Sequence, residues 1–175
     1  MRIIKVVDHR DYLETWDKIE RHAVRAIIRK DNLIALVKSK KEGFYKFPGG
    51  GIENDEEHID TLIRETEEET GLVIKENTVR DYGFFVECRK SIYEEAIFEQ
   101  KSYYYTAEVE DTLKPIKLDE YEKELDYELE WIDIHEAIKI NKTFRGTKFS
   151  YIERETLVLN DIVLNEKPKR VYLNY

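Results

Sequence analysis

The sequence is poor in the residues that cross-link or interrupt a chain. Its 175 residues hold one cysteine, three prolines and seven glycines. Cys88 stands alone, so no intrachain disulfide can form; this points to a reducing compartment and leaves the thiol as a small buried hydrophobe. No apolar run approaches the ~20 residues of a membrane-spanning helix. The opening stretch, residues 1–8, is too short and too charged for a secretory signal. A cytoplasmic protein without a membrane partner is therefore expected. Basic residues are also in deficit, 29 against 38 acidic ones, for a formal net charge of −9. That balance argues against a binder of nucleic-acid polymers, which needs a basic stripe. Repeats, low-complexity tracts and evident domain linkers are lacking too. Residues 1–175 are expected to form a single domain with a substantial core.

Aromatic residues, by contrast, are plentiful: 12 Tyr, 7 Phe and 2 Trp, within a hydrophobic share of 41%. Alternation and turn residues predict strands over 3–7, 20–29, 33–38, 44–47, 79–89, 98–110 and 127–132. Residues 11–19 read as a linker or marginal helix, and 111–125 as a charged loop. Asp133-Ile134-His135-Glu136 has the pattern of a capping box opening a helix over 134–140. Ser150-Tyr151-Ile152-Glu153 opens a longer helix, stopped by Asn165 and Pro168, with 170–175 as a tail or added edge strand. Strands and helices interleaved in this order predict an α/β layered domain.

The few glycines are concentrated. Three follow Pro48 in a row and lead into residues 50–72, GGIENDEEHIDTLIRETEEETGL. At ~100° per residue, Ile59, Leu62, Ile63, Thr66 and Thr70 fall on one helical stripe. Glu65, Glu68 and Glu69 fall together on a neighbouring face, while Glu67 points elsewhere and is expected to be solvated. Like charges at this spacing repel by ~0.2–0.5 kcal/mol per pair, so the face is costly unless a cation is present. Hard oxygen donors suit Mg2+ or Mn2+ bridging to substrate phosphates. A solvated acidic face is the alternative, against which the glycines and Arg64 weigh.

Gly50, Glu56, Arg64, Glu65, Glu68, Glu69, Gly71 and Leu72 stand at the spacing of the Nudix box, which the segment resembles. Every fixed letter of that box is present. Thr66, where the family has a bulky aliphatic residue, is a departure. The resemblance implies the Nudix fold, a mixed β-sheet sandwiched between α-helices, with the box forming loop–helix–loop. It also implies a Mg2+- or Mn2+-dependent pyrophosphohydrolase, in which water attacks a phosphorus of a nucleoside diphosphate linked to another group. By resemblance, Glu65, Glu68 and Glu69 are metal ligands, and one of them acts as the base or orients it. The Gly49 carbonyl is a further candidate ligand, and Arg64 fixes a carboxylate, with Glu68 in reach. Glu56, near the helix start where negative charge is favourable, fits a structural role.

Another acid from outside the box is expected, with Glu94, Glu95, Glu99, Glu124 and Glu128 as candidates. Glu128 is preferred because it precedes Trp131 on a strand edge. His58 reads as a solvated residue of the first helical turn, without a metal partner at ligand spacing. Lys46, Arg89 and Lys90 are candidates for phosphate contact against ordinary surface charges. Tyr103, Tyr104 and Tyr105 alternate in direction, so at least one packs inside, and one is a candidate for stacking on a base.

The box reports the reacting diphosphate and not what is attached to it. A (deoxy)nucleoside triphosphate, cleaved to monophosphate and pyrophosphate, leads. ADP-ribose or a sugar nucleotide, bound in part at a homodimer interface, is the alternative. A catalytically silent nucleotide-sensing module has no reason to keep all three box acids. An isomerase of the same fold needs a reactive thiol, and Cys88 has no neighbouring His-Pro context.

Overall fold

Strand β2 (Lys18–Lys30) is the axis of the fold. Its segment from Ala23 to Ile28 is buried residue by residue, because the strand is covered on both faces. Val24, Ala26 and Ile28 pack with Ala35, Leu62 and Tyr105 on one side. Ile27 packs with Leu36, Phe47, Tyr104, Val158 and Leu159 on the other. The computed structural model describes residues 1–53, 56–144 and 151–166. The cap expected at Ser150, the stop at Pro168 and the tail over 170–175 lie outside the described residues.

The remaining elements, in chain order, are β1 (Ile3–Asp8), β3 (Leu33–Ser39), β4 (Tyr45–Lys46), α1 (His58–Thr70), β5 (Leu72–Ile74), β6 (Arg80–Lys90), β7 (Ile97–Ala107), β8 (Val109–Leu113), α2 (Glu120–Glu124), β9 (Tyr127–Asp133), α3 (Ile134–Asn141) and α4 (Tyr151–Asn165). The main sheet runs β1-β6-β7-β2-β3-β4, with β9 on the other edge of β3. It is mixed. β1 is parallel to β6 and β7 is parallel to β2, whereas β6–β7, β2–β3, β3–β4 and β3–β9 are antiparallel. Helix α1 lies on the Val24 face, and α3 and α4 lie on the Ile27 face. This is the α/β sandwich that the sequence implies. Among the described residues, no helix is long and apolar enough to cross a membrane.

One irregularity makes room for a site. β2 and β3 pair only at Arg29↔Ile34 and Lys30↔Leu33, next to their turn. Beyond that point they part. β3 pairs instead with β4, while β2 is bonded by the glycine loop: Ala26 N–H to Pro48 O at 2.9 Å, Val24 N–H to Gly50 O at 2.9 Å, and Ile52 N–H to His22 O at 3.0 Å. The loop thus takes up backbone groups that would otherwise be buried without partners.

Three features depart from the sequence reading. β2 begins at Lys18 and not at Glu20, so of the two readings of residues 11–19 the linker holds up to Asp17 and the helix does not form. Leu72–Ile74 pairs with Val109–Leu113 as a two-stranded sheet. Each partner is too short to show a period, and β8 is mostly exposed. The charged stretch 111–125 also contains α2, closed at its start by a capping box: Glu122 N–H to Asp119 Oδ1 at 2.8 Å and Asp119 N–H to Glu122 Oε2 at 2.9 Å.

Candidate active site

The glycine loop is close-packed against β2 on one side and against α1 on the other. Gly49 has φ +129°, and a Cβ there would run into the Val24 carbonyl. A Cβ on Gly50 would occupy the space of the Glu65 carboxylate. The loop therefore lets a helix acid approach the backbone as only glycine permits. α1 presents that acid on a rigid scaffold: Leu62 is fully buried beneath it, and its last turn closes with Gly71 N–H to Glu67 O at 2.8 Å.

Glu65 and Glu69, one turn apart, both face a cavity of about 720 Å³ at the parting of β2 and β3. Glu69 is 2% exposed, accepts from Gly49 N–H at 2.9 Å and is paired with the Lys46 ammonium. The Glu65 carboxyl is held above the usual carboxylate range by burial and by the charge of Glu69, against the pull of Arg64. Glu68 does not line the cavity; it accepts from Arg64 Nη1 at 3.2 Å. Arg64 also donates to Glu65 Oε1 at 2.7 Å, and its main partner is Glu56. Glu67, expected to be solvated, meets Lys114 at 2.8 Å because the 114–117 segment lies along the end of α1.

The acid that joins this pair from outside the box is Glu122 on α2. Its carboxyl lines the same cavity and is pushed up to about 7 by burial and by a hydrogen bond with Glu69. It was not among the sequence candidates, although Asp119-Glu120-Tyr121-Glu122 carries the capping-box spacing that marks the helix. Glu128 is placed elsewhere. It alternates with Tyr127, which lines the cavity, and so points to the opposite face, 3.6 Å from Lys40. Glu94, Glu95 and Glu124 are exposed, and Glu99 is engaged by Lys18 at 2.9 Å and Lys101 at 3.4 Å.

Other candidates sort similarly. Lys46 and Arg89 line the cavity, whereas Lys90 sits 5.2 Å from the Trp16 ring. His58 is half-buried and not freely solvated: its Nδ1 lies 2.7 Å from the Tyr105 hydroxyl, with its ring 4.5 Å from that of Tyr103. Those two tyrosines share one face of β7 and meet the start of α1; Tyr104, on the other face, is fully buried. None of the three lines the cavity. Burial and then Glu99 push the Cys88 thiol up to about 11, which removes it as a nucleophile.

The model of the family described as the NUDIX domain matches residues 20–153. The chain belongs to the Nudix family of hydrolases. An ADP-ribose pyrophosphatase from Methanocaldococcus jannaschii is 45% identical over 56 residues, which span 30% of this chain and 33% of that protein. The match thus reaches about a third of the length of this curated relative. Among solved structures, a Nudix hydrolase from Nitrosomonas europaea superposes with a TM-score of 0.58 at 17% identity, covering 90% of this chain and 98% of that one. That likeness speaks for the Nudix fold. A MutT protein from Bacillus halodurans gives 0.49 at 18% identity, over 79% of this chain and 82% of that one.

Among the described residues, no three acidic, histidine or cysteine side chains stand close enough to hold a metal as they are. The reason is visible: Lys46 is seated on Glu69, and Arg64 is seated on Glu65 and Glu68. The donor chemistry nonetheless fits. Glu65, Glu69 and Glu122 offer only carboxylate oxygens, and Glu65 and Glu122 are both held above their usual range by burial and by the charge of Glu69, a burden that a cation relieves. The Gly49 carbonyl is less free, since the Arg25 guanidinium already donates to it.

Proposed function

We propose that the chain is a Mg2+- or Mn2+-dependent pyrophosphohydrolase acting on a nucleoside diphosphate linked to another group. The observation that carries this reading is the meeting of Glu65 and Glu69 from α1 with Glu122 from α2 at one cavity. In this proposal Glu65, Glu69 and Glu122 hold the cation, with Glu68 and the Gly49 carbonyl at the rim of that set. The cation, when bound, neutralises the diphosphate and lowers the pKa of water. The protein does the rest. Arg64 locks the rotamers of Glu65 and Glu68 through charge-assisted bonds. Lys46, on leaving Glu69, is within reach of a phosphate oxygen. A box carboxylate accepts the proton of the attacking water.

For the attached group, the sequence puts nucleoside triphosphates first. The name of the Methanocaldococcus jannaschii relative favours ADP-ribose as a second reading, and with it a homodimer, which light scattering measures. The lone Cys88 keeps the cytoplasm as the proposed location. The deciding experiment is a panel of nucleoside triphosphates, ADP-ribose and sugar nucleotides with Mg2+, Mn2+ or EDTA. Monophosphate plus pyrophosphate identifies the first reading; AMP plus ribose 5-phosphate identifies the second. Absence of product with either metal, or equal rates in EDTA, overturns the proposal.

A further inference from the structure

The cations of the cavity differ in what they are paired with. Lys46 has Glu69; Arg154 has Glu155 at 2.9 Å and Glu87 at 3.5 Å; Arg89 has Glu87 at 4.0 Å. Arg21 and Arg25 form no such ion pair among the described residues; their hydrogen bonds go to neutral groups, and the Glu65 carboxylate acts on both only through its charge. Arg21 Nη1 donates to Gln100 Oε1 at 3.0 Å, and Arg25 Nη1 donates to the carbonyls of Gly49 and, at 3.4 Å, Val24. The Nε of Arg25 is buried without any partner, in a side chain only 7% exposed. Both residues line the cavity. They sit four apart on β2 and so share one face of it.

This arrangement is costly for a chain left to itself. A buried guanidinium with no direct ion pair and an Nε without an acceptor loses hydration that the charge of Glu65 repays only in part. Arg21 shows the same balance: although water reaches it, its recessed position and then the charges of Arg25 and Arg154 push its pKa down to about 10, against the pull of Glu65. The surroundings hold Arg21 in place. Gln100 is itself oriented by Ser102, its Nε2 donating to Oγ at 3.0 Å. Gly51 leaves room for the guanidinium to pass, since even a Cβ there would sit 3.2 Å from Arg21 Nη2. If Arg25 served only to hold the Gly49 carbonyl, neither its unpartnered Nε nor the second unpaired guanidinium would be explained.

We propose that Arg21 and Arg25 form an anion subsite on the β2 wall of the cavity, taking a phosphate group of the substrate without help from the divalent cation. Only the identity of the ligand rests on the proposed function; the want of an ion pair at Arg21 and Arg25 among the described residues does not. Guanidinium forks match phosphate oxygens in pairs, and a phosphate would supply the acceptors that Arg25 Nε and Arg21 lack.

Calorimetric titration with pyrophosphate in EDTA tests this, comparing the wild-type chain with R21Q and R25Q. The expected result is binding by the wild type and an affinity loss of about tenfold or more in R21Q. Arg21 is at the open rim, so R21Q keeps the fold, which circular dichroism verifies; R25Q serves as the second variant if its spectrum is native. Absence of pyrophosphate binding in the wild type overturns the subsite, as does an R21Q affinity within about twofold of wild type. Failure of the hydrolase reading looks different. Metal-free pyrophosphate binding that R21Q weakens, with no turnover of any nucleotide, supports the subsite and removes the enzyme. Turnover with pyrophosphate binding that R21Q does not change removes the subsite alone.

Discussion

Arg64 grips Glu56 with two nitrogens, Nε to Oε1 at 3.0 Å and Nη2 to Oε2 at 2.8 Å, across eight residues of chain. The same guanidinium extends Nη1 to Glu65 and Glu68. The spacing between Glu56 and Arg64 in the box thus makes a clamp that fixes the approach to α1 and the acids upon it.

The clamp predicts a pH signature. Hydrogen bonds from Arg64 and then Thr61 hold the Glu56 carboxyl well down, at about 2. A depressed folded-state pKa contributes stability that is fully present above the ordinary carboxylate pKa and is lost as pH falls through the folded value. The contribution should therefore fade between about pH 4.5 and pH 2. Carboxyl-carbon NMR should give a Glu56 midpoint near 2, and E56Q should lack this part of the acid unfolding curve. A midpoint at the ordinary carboxylate value would contradict the clamp.

Thr66 makes a second prediction. It is fully buried, and its Oγ1 has no hydrogen-bond partner among the described residues. An unsatisfied buried hydroxyl costs about 1–3 kcal/mol, so T66V, which restores the aliphatic residue of the box, should stabilise the fold by about 1 kcal/mol. Urea denaturation reads the change. Destabilisation would mean that the hydroxyl is satisfied in solution.

Glu155 should be less forgiving. It is 1% exposed, accepts from Phe47 N–H at 3.0 Å and from Arg154 at 2.9 Å, and so ties α4 to the start of the glycine loop. E155Q removes the charge facing a buried guanidinium, for an expected loss of about 3 kcal/mol or more. A urea midpoint unchanged from wild type would show that Glu87 alone suffices for Arg154.

The sequence and the structure agree most where a period is long enough to read. The stripe through Leu62, Thr66 and Thr70 is buried as helical spacing requires, and β2, β3, β6, β7 and β9 fall where alternation or unbroken apolar runs put them. What escaped was short or all-charged. α2 contributes Glu122 from a segment with no apolar face, where only the cap spacing marks a helix. Glu128 precedes Trp131 on a strand edge, which favours it in the sequence, but its alternation with Tyr127 turns it out of the cavity. The meeting of Arg21 and Arg25 with the box depends on where β2 and β3 part, which no local pattern encodes.

That contrast between Glu122 and Glu128 is itself testable. E122Q should lower turnover by about a hundredfold, as loss of a positioned acid does, and E128Q should leave it within about twofold. Steady-state rates on whichever nucleotide the panel identifies measure both. The reverse order would return the outside acid to β9.

The account stands on Glu65 and Glu69 as a seat for a divalent cation. Mn2+ titration followed by electron paramagnetic resonance, on the wild-type chain and on E69Q, addresses that seat without any assumption about substrate. The account predicts a bound Mn2+ in the wild type that E69Q weakens by about tenfold or more. Equal Mn2+ binding by both chains, or none by the wild type, would contradict it.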